Sequence, residues 1–166
     1  VAEDTVALQV LKKVELDWEA TAGLTQAHVA GAAEDDGLHQ VDALLQRWGT
    51  HEAGVAHIPE DRHKHGLALT NAVADNLVLS TYYQPPFARG IELNEPAIRR
   101  NAEQRIAQFD IRTPSWLTLA GSLSGGNQQK TIVARELSRP VKLIIAVQPT
   151  RGLDIGSIEF IHRRLI

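Results

Sequence analysis

One stretch near the end of the chain limits the possible folds more than any other. Leu143–Val147 is a run of aliphatic residues with no polar side chain to mark a solvent-facing side. A strand of this kind is typical of a parallel sheet that is covered on both faces. Apolar residues recur at helical spacing before this run, over 127–139 with Pro140 as the stop, and after it, from about Ser157. This helix–strand–helix order predicts an α/β fold with a mostly parallel sheet.

The middle of the chain predicts another strand and two further helices. Gly54–Ile58 is short, apolar and followed by a proline, as expected for a buried strand, and a short helix is predicted over 71–79. The clearest helix follows Asn94, a favourable N-cap, with Pro96 in the first turn, where its missing N–H costs little. Adjacent prolines predict a loop over 81–90, because proline fixes φ and removes a donor.

Composition argues against several functional classes. The net charge of −3 gives no electrostatic support to a nucleic-acid partner, and the absence of cysteine removes disulfides and thiol chemistry. No apolar run is long enough to span a bilayer, so we expect no direct membrane insertion. A length of 166 residues suits one compact domain. The chain contains no methionine and begins at Val1, from which we expect a fragment, with a processed start and a short natural tail as the alternative.

The segment "LSGG", residues 123–126, lies directly before the predicted helix 127–139. A helix N-terminus has unpaired N–H groups and a partial positive charge, and glycine lets the backbone approach a ligand closely. With the serine hydroxyl as a further donor, these features can form a phosphate-binding site. The same residues are also compatible with a simple helix cap at Ser124 after a flexible lead-in.

Three stretches together indicate a family. "LSGGNQQK" (123–130) resembles the signature motif of ABC transporter ATPases. "LIIAVQPTRGLDIGS" (143–157) resembles the Walker B strand and the D-loop that follow the signature helix. "GVAHIPEDRHKHGL" (54–67) with "VADNLVLS" (73–80) resembles the segment before the helical subdomain in importers of simple sugars and nucleosides. The order agrees with the family, and the sequence is most similar to the nucleoside branch and to the second of two fused ATPase halves.

The resemblance implies a division of the chain. Residues 54–166 correspond to an ABC ATPase-like region, in which a helical subdomain of about 71–138 is inserted and carries the signature. Residues 1–53 form an N-terminal α/β region of uncertain identity.

Site residues are implied only where the chain matches the family's motifs. The residues that would contact ATP held on a partner's P-loop are Ser124, Gly125, Gly126 and Gln128. Asp154 would lie in the D-loop at the dimer seam, and Glu60 occupies the place of the Q-loop glutamine that senses the membrane subunit. The implied cofactors are ATP and Mg²⁺ at a shared site. The implied partners are an intact ABC ATPase half and membrane permease subunits, which would place the chain peripherally on the cytoplasmic face of the plasma membrane.

The departures from the family concern catalysis. No GxxxxGK[ST] loop occurs, and the segment 29–46 that faintly resembles the P-loop region has carboxylates at 34–36, which would repel a triphosphate. Walker B ends in Asp-Glu in the family, whereas these positions are Val147 and Gln148 here. Valine cannot hold Mg²⁺ through water, and glutamine cannot accept a proton from the attacking water. The sequence therefore predicts that the chain has no catalytic residue of its own. It predicts instead that the chain completes the active site of another ATPase.

Two other functions remain open at this stage. The chain could be a non-enzymatic assembly module that keeps the fold and has lost nucleotide binding. It could instead bind a metal through His57, His63 and His65 with Glu60 and Asp61, although their spacing matches no strong ligand pattern and a solvated polar loop is the simpler interpretation. Asp35 and Asp36 lack the surrounding pattern of a calcium loop.

Overall fold

The computed structural model describes residues 54–165. The strands are β1 (Val55–Ile58), β2 (Ala88–Arg89), β3 (Glu92–Leu93) and β4 (Leu143–Ala146). The helices are α1 (Val73–Val78), α2 (Glu95–Gln108), α3 (Gly125–Leu137) and α4 (Ile155–Leu165). A π-helical turn (Arg62–Gly66) follows β1, and a 3₁₀ turn (Ala120–Ser122) precedes α3. The segment 29–46, the carboxylates at 34–36 and the predicted N-terminal region 1–53 lie outside the described residues.

Strands β1 and β4 pair with each other as a two-stranded parallel sheet. The amide of Lys142 donates to the Gly54 carbonyl at 2.8 Å, and the amide of Val147 donates to the Ile58 carbonyl at 2.9 Å. The pairing therefore advances in the same direction along both strands. Most residues of β1 are buried, as expected for a strand covered on both faces. The predicted α/β class with a parallel sheet is confirmed.

Helix α2 begins where its capping residue predicts. Asn94 accepts a hydrogen bond from the amide of Ala97 at 3.2 Å, and Pro96 lies in the first turn. The preceding loop prediction over 81–90 is wrong at its end, because β2 pairs with β3 as a short antiparallel hairpin. Asn94 also closes this hairpin, since its backbone amide donates to the Phe87 carbonyl at 2.7 Å.

Helix α1 packs against α2 and α3 and contains a fully buried polar residue, Asn76. Its side-chain oxygen accepts from the amide of Ala68 at 2.8 Å, and its side-chain nitrogen donates to the carbonyls of Ala68 and Ala72 at 3.0 Å each. These bonds satisfy the buried amide, so Asn76 fixes the segment before α1 against the helix.

Helices α3 and α4 both begin earlier than their apolar spacing predicts. Helix α3 starts at Gly125 because Ser124 caps it, and α4 starts at Ile155 because the carboxylate of Asp154 accepts the amide of Ser157 at 2.9 Å. The middle of α3 forms much of the core, where Ile132 and Val133 are fully buried. None of the helices within 54–165 is both long and apolar enough to cross a membrane.

The described residues belong to two compact units. Gly54–His57 and Pro140–Ile145 belong to one, and contain most of the paired strands. Ile58–Arg139 and Ala146–Leu165 belong to the other, which contains all four helices. The boundaries inferred from the family, at residues 54, 71 and 138, stay a prediction.

Candidate functional site

The candidate site is built around the first turn of α3, in the unit that contains the helices. Ser124 is exposed, and its hydroxyl oxygen accepts a bond from the side-chain amide of Asn127 at 2.9 Å. The backbone amide of Asn127 reaches the same oxygen at 3.5 Å. Because this oxygen acts as the acceptor of the cap, the hydroxyl hydrogen can be donated outward. The cap and the phosphate-binding interpretation of Ser124 are therefore compatible with each other.

Gly126 is buried against the turn that precedes α4. A Cβ at this position would lie 2.2 Å from the Ser157 hydroxyl oxygen and 3.0 Å from a carboxylate oxygen of Asp154. The first distance is far below any real Cβ contact and the second is unusually tight, so only glycine fits here without movement of Ser157. The second glycine of "LSGG" thus has a structural role within this chain: it lets the signature helix and the D-loop-like turn approach each other.

Asp154 is an exposed carboxylate whose geometry is fixed by Ser157. The Ser157 hydroxyl donates to one carboxylate oxygen at 2.7 Å and the Ser157 amide donates to the other at 2.9 Å. These bonds, the hydroxyl first and the backbone amide second, hold the pKa of Asp154 below its ordinary value. The residue remains ionised at neutral pH and is oriented by its own helix. Its predicted place at a dimer seam stays a prediction.

Gly125 lies against a residue that the sequence interpretation did not select, Arg62. A Cβ on Gly125 would lie 2.9 Å from a terminal guanidinium nitrogen of Arg62. The other terminal nitrogen of Arg62 donates to the Arg151 carbonyl at 3.1 Å. No local sequence pattern reveals this placement, because Arg62 and Gly125 lie far apart in the chain. The one hint in the sequence is that Arg62 lies two residues after Glu60, the residue identified as Q-loop-like from the family resemblance.

Gln128, predicted to contact ATP, points into the protein. It is 4% exposed, and its side-chain nitrogen donates to the Ala120 carbonyl at 3.1 Å. Its side-chain oxygen lies 2.8 Å from Nε2 of His63. Both ends of the amide are therefore bonded inside the chain, and a contact with ATP would require them to be released. Of the four implied signature residues, Ser124 has the geometry best suited to reach a ligand.

Glu60 is exposed and forms an ion pair with Arg151 in the turn after β4. The structure thus brings the Q-loop-like residue next to the D-loop-like turn. The role of Glu60 in sensing a membrane subunit stays a prediction.

The end of β4 carries Val147 and Gln148, where a Walker B strand of the family ends in Asp-Glu. The backbone amide of Val147 completes the sheet pairing, and Gln148 is exposed with a φ of 44° in the left-handed region. The Gln148 carbonyl accepts the amide of Arg151 at 3.0 Å, which closes the following turn. The Val147 side chain has no oxygen with which to hold Mg²⁺ through water, and the Gln148 amide cannot act as a general base at neutral pH, so these two positions do not fit the metal-holding and proton-accepting roles at the end of a Walker B strand.

The histidine-rich segment does not form a metal centre. Within the described range, no group of three or more His, Cys, Asp or Glu side chains could hold a metal ion. Nε2 of His63 bonds to Gln128 instead, and Asp61 uses one carboxylate oxygen to accept the amides of His63 and Lys64 at 2.9 and 3.0 Å. Asp35 and Asp36 lie outside the described residues.

The fold is that of an ABC-type ATPase cassette. A solved structure of a dimeric bacterial ABC transporter cassette superposes with a TM-score of 0.52 at 24% sequence identity, over 66% of this chain and 44% of that one. At this level of identity the similarity establishes the fold alone.

Sequence relatives define the family more narrowly. The guanosine import ATP-binding protein NupO of Bacillus subtilis is 49% identical over 127 residues, 76% of this chain and 25% of that protein. The nucleoside import ATP-binding protein NupA of Lactococcus lactis subsp. cremoris is 42% identical over 167 residues, which cover 98% of this chain and 33% of that protein. The glucose import ATP-binding protein TsgD13 of Haloferax volcanii is 41% identical over 115 residues, which cover 68% of this chain and 21% of that protein. No protein-family model matches the chain.

The chain therefore belongs to the family of ABC import ATP-binding proteins. It spans between a quarter and a third of the length of the two nucleoside relatives that it matches.

Proposed function

We propose that this chain contributes the signature segment to an ATP molecule bound by another ABC cassette. The exposed Ser124 at the first turn of α3 carries this proposal, because it combines a hydroxyl donor with a helix N-terminus. The triphosphate and Mg²⁺ would be held by the partner, since Val147 offers no metal ligand and Gln148 offers no base. The chain would then hydrolyse no ATP alone and would support hydrolysis in a pair.

We propose nucleosides as the imported solutes. Two relatives named for guanosine or nucleoside import are 49% and 42% identical to this chain, whereas relatives named for glucose and arabinose import are 41% and 40% identical. The proposed partners are an intact ABC ATPase half and membrane permease subunits. The proposed location is the cytoplasmic face of the plasma membrane, where such subunits meet their permeases.

The test uses a cassette that has an intact P-loop and a disabled signature of its own. Such a cassette cannot complete its site by self-association, so ATP turnover requires a signature from the added chain. We expect the cassette alone and the chain alone to be inactive, and the mixture to hydrolyse ATP. An inactive mixture would refute the proposal.

Variants at Ser124 separate ligand contact from helix capping. Aspartate caps a helix as well as serine does, so Ser124→Asp keeps α3 but directs a carboxylate at the γ-phosphate. Ser124→Thr keeps both the cap and the hydroxyl and is the matched control. We expect turnover to collapse with Asp and to persist with Thr, while circular dichroism stays unchanged for both. Full turnover with Ser124→Asp would favour a module that assembles with the cassette without touching its nucleotide.

A further inference from the structure

The guanidinium of Arg62 touches two segments that are far apart in the chain. One terminal nitrogen donates to the Arg151 carbonyl at 3.1 Å, and the other lies where a side chain on Gly125 would begin, 2.9 Å from an ideal Cβ. The Nε atom is buried and has no hydrogen-bond partner among the described residues. One terminal nitrogen of Arg62 is therefore bonded to the turn after β4, while the other lies beside the first turn of α3.

The position of Arg62 is itself fixed by the residues around it. It starts the π-helical turn that Asp61 caps, with one carboxylate oxygen accepting the amides of His63 and Lys64. The turn that receives its hydrogen bond is held a second time, because the side chain of Arg151 pairs with Glu60. Backbone and side chain of Arg151 are thus both anchored to residues 60–62.

The opposite side of the α3 start is closed by α4. Gly126 packs against Ser157 and Asp154, whereas Gly125 packs against Arg62. The two glycines are therefore held between a guanidinium on one side and the start of α4 on the other. Ser124 directly precedes this clamped pair, so its direction depends on both contacts.

Stability of α3 does not account for this arrangement. A cation near a helix N-terminus is unfavourable, because the helix dipole is positive at that end. The buried Nε without a partner adds a further cost. Arg62 is thus placed against the electrostatic preference of the helix that it touches, so its contribution there is one of geometry and not of helix stability.

We propose that Arg62 is a positioning residue for the signature segment: it fixes Gly125, and through it Ser124, relative to the turn at Arg151. Its effect on ATP turnover rests on the proposed function above, whereas its effect on the geometry does not. Arg62 is not placed in contact with nucleotide. Lysine could keep the bond to the Arg151 carbonyl, but it lacks the planar fork that also covers Gly125.

The first measurement examines the chain alone. The carbonyl carbon of Arg151 reports its hydrogen bond in the NMR spectrum, since loss of a donor moves this resonance upfield. We expect the upfield shift in Arg62→Ala, and a resonance near the wild-type position in Arg62→Lys. Lys64→Ala removes a cation from an exposed position of the same turn and is the matched control, with no shift expected. An unchanged Arg151 resonance in Arg62→Ala would overturn the proposal.

The second measurement uses the mixture with the signature-disabled cassette. Because the cassette holds ATP by its own P-loop, we expect Arg62→Ala to lower kcat at least tenfold and to change KM for ATP less than twofold. Arg62→Lys should restore kcat in part, and Lys64→Ala should match the wild type. A merely structural role predicts instead a loss of association, seen as a weaker apparent affinity of the cassette for the chain.

The outcomes separate the two proposals. If the wild-type chain fails to support turnover, the proposed function fails, and the NMR measurement alone decides the placement of Arg62. If the wild type is active and Arg62→Ala keeps its kcat within twofold, the positioning role is refuted while the proposed function stands. If Arg62→Ala does not fold, the Arg62→Lys variant decides. A wild-type kcat in this variant would refute the need for the guanidinium over Gly125. A reduced kcat together with an unshifted Arg151 carbonyl resonance would support that need.

Discussion

The contact between Gly126 and Ser157 leads to a direct stability prediction. Replacing Gly126 with alanine places a Cβ 2.2 Å from the Ser157 hydroxyl oxygen and 3.0 Å from the Ser157 Cβ. Rotation of the hydroxyl would relieve the first clash but would break its bond to Asp154. The second clash cannot be relieved by rotation, so the start of α4 or α3 must shift.

The expected magnitude follows from two opposing effects. Insertion of a methyl group into a filled site costs about 1–3 kcal/mol. Alanine in place of glycine within a helix gains about 0.5–1 kcal/mol. Ser157 is 8% exposed and cannot simply move into solvent, so the packing cost outweighs the propensity gain. We expect Gly126→Ala to lower the free energy of unfolding by about 1–2 kcal/mol, or the melting temperature by roughly 2–8 °C.

The assay is urea unfolding followed by circular dichroism, with Gly125→Ala as the control. The alanine methyl in the control meets only the end of the long Arg62 side chain, at 2.9 Å, and no backbone atom, so its cost should be smaller than that of Gly126→Ala. Ser157→Ala removes the hydroxyl, and the double variant with Gly126→Ala should be less destabilised than the sum of the single changes. Equal midpoints for Gly126→Ala and the wild type, or strictly additive effects, would refute the packing argument.

Three further outcomes are expected. Gly66→Ala should destabilise the chain by about 1–3 kcal/mol in the same urea assay, because its Cβ would lie 2.5 Å from the terminal methyl of the fully buried Ile132; an unchanged midpoint would contradict this. Lys130 donates a hydrogen bond to Asp110 and also attracts it by its positive charge, and both effects hold the pKa of Asp110 below its ordinary value of 3.8. The contribution of Asp110 to the free energy of unfolding is therefore complete above that value and is lost as pH falls through the lower folded pKa. Asp110→Asn should flatten the acid side of the pH–stability curve, and an unchanged acid side would contradict the pairing. Val147→Asp with Gln148→Glu should leave the isolated chain without ATP turnover, because the sequence has no GxxxxGK[ST] loop to hold the triphosphate; phosphate release above that of the unmodified chain would refute this.

Much of the local structure could be predicted from the sequence. The strand at Leu143, the cap at Asn94 and the helix after Ser124 depend on apolar periodicity and capping within a few residues, so a short window contains the necessary information. The ends of elements were less well predicted. Helix α4 begins before Ser157 because the Asp154 carboxylate caps it, an effect that apolar spacing alone does not show.

The candidate site divides in the same way. The sequence by itself determined that "LSGG" precedes a helix, that no carboxylate stands at Val147 or Gln148, and that the motif order is that of an ABC cassette. Only the tertiary structure decided that Gln128 points inward, that Gly126 is packed against Ser157, and that Arg62 lies over Gly125. These contacts join residues separated by tens of positions. Their geometry depends on how helices pack, and pairwise packing leaves no periodic trace in the sequence.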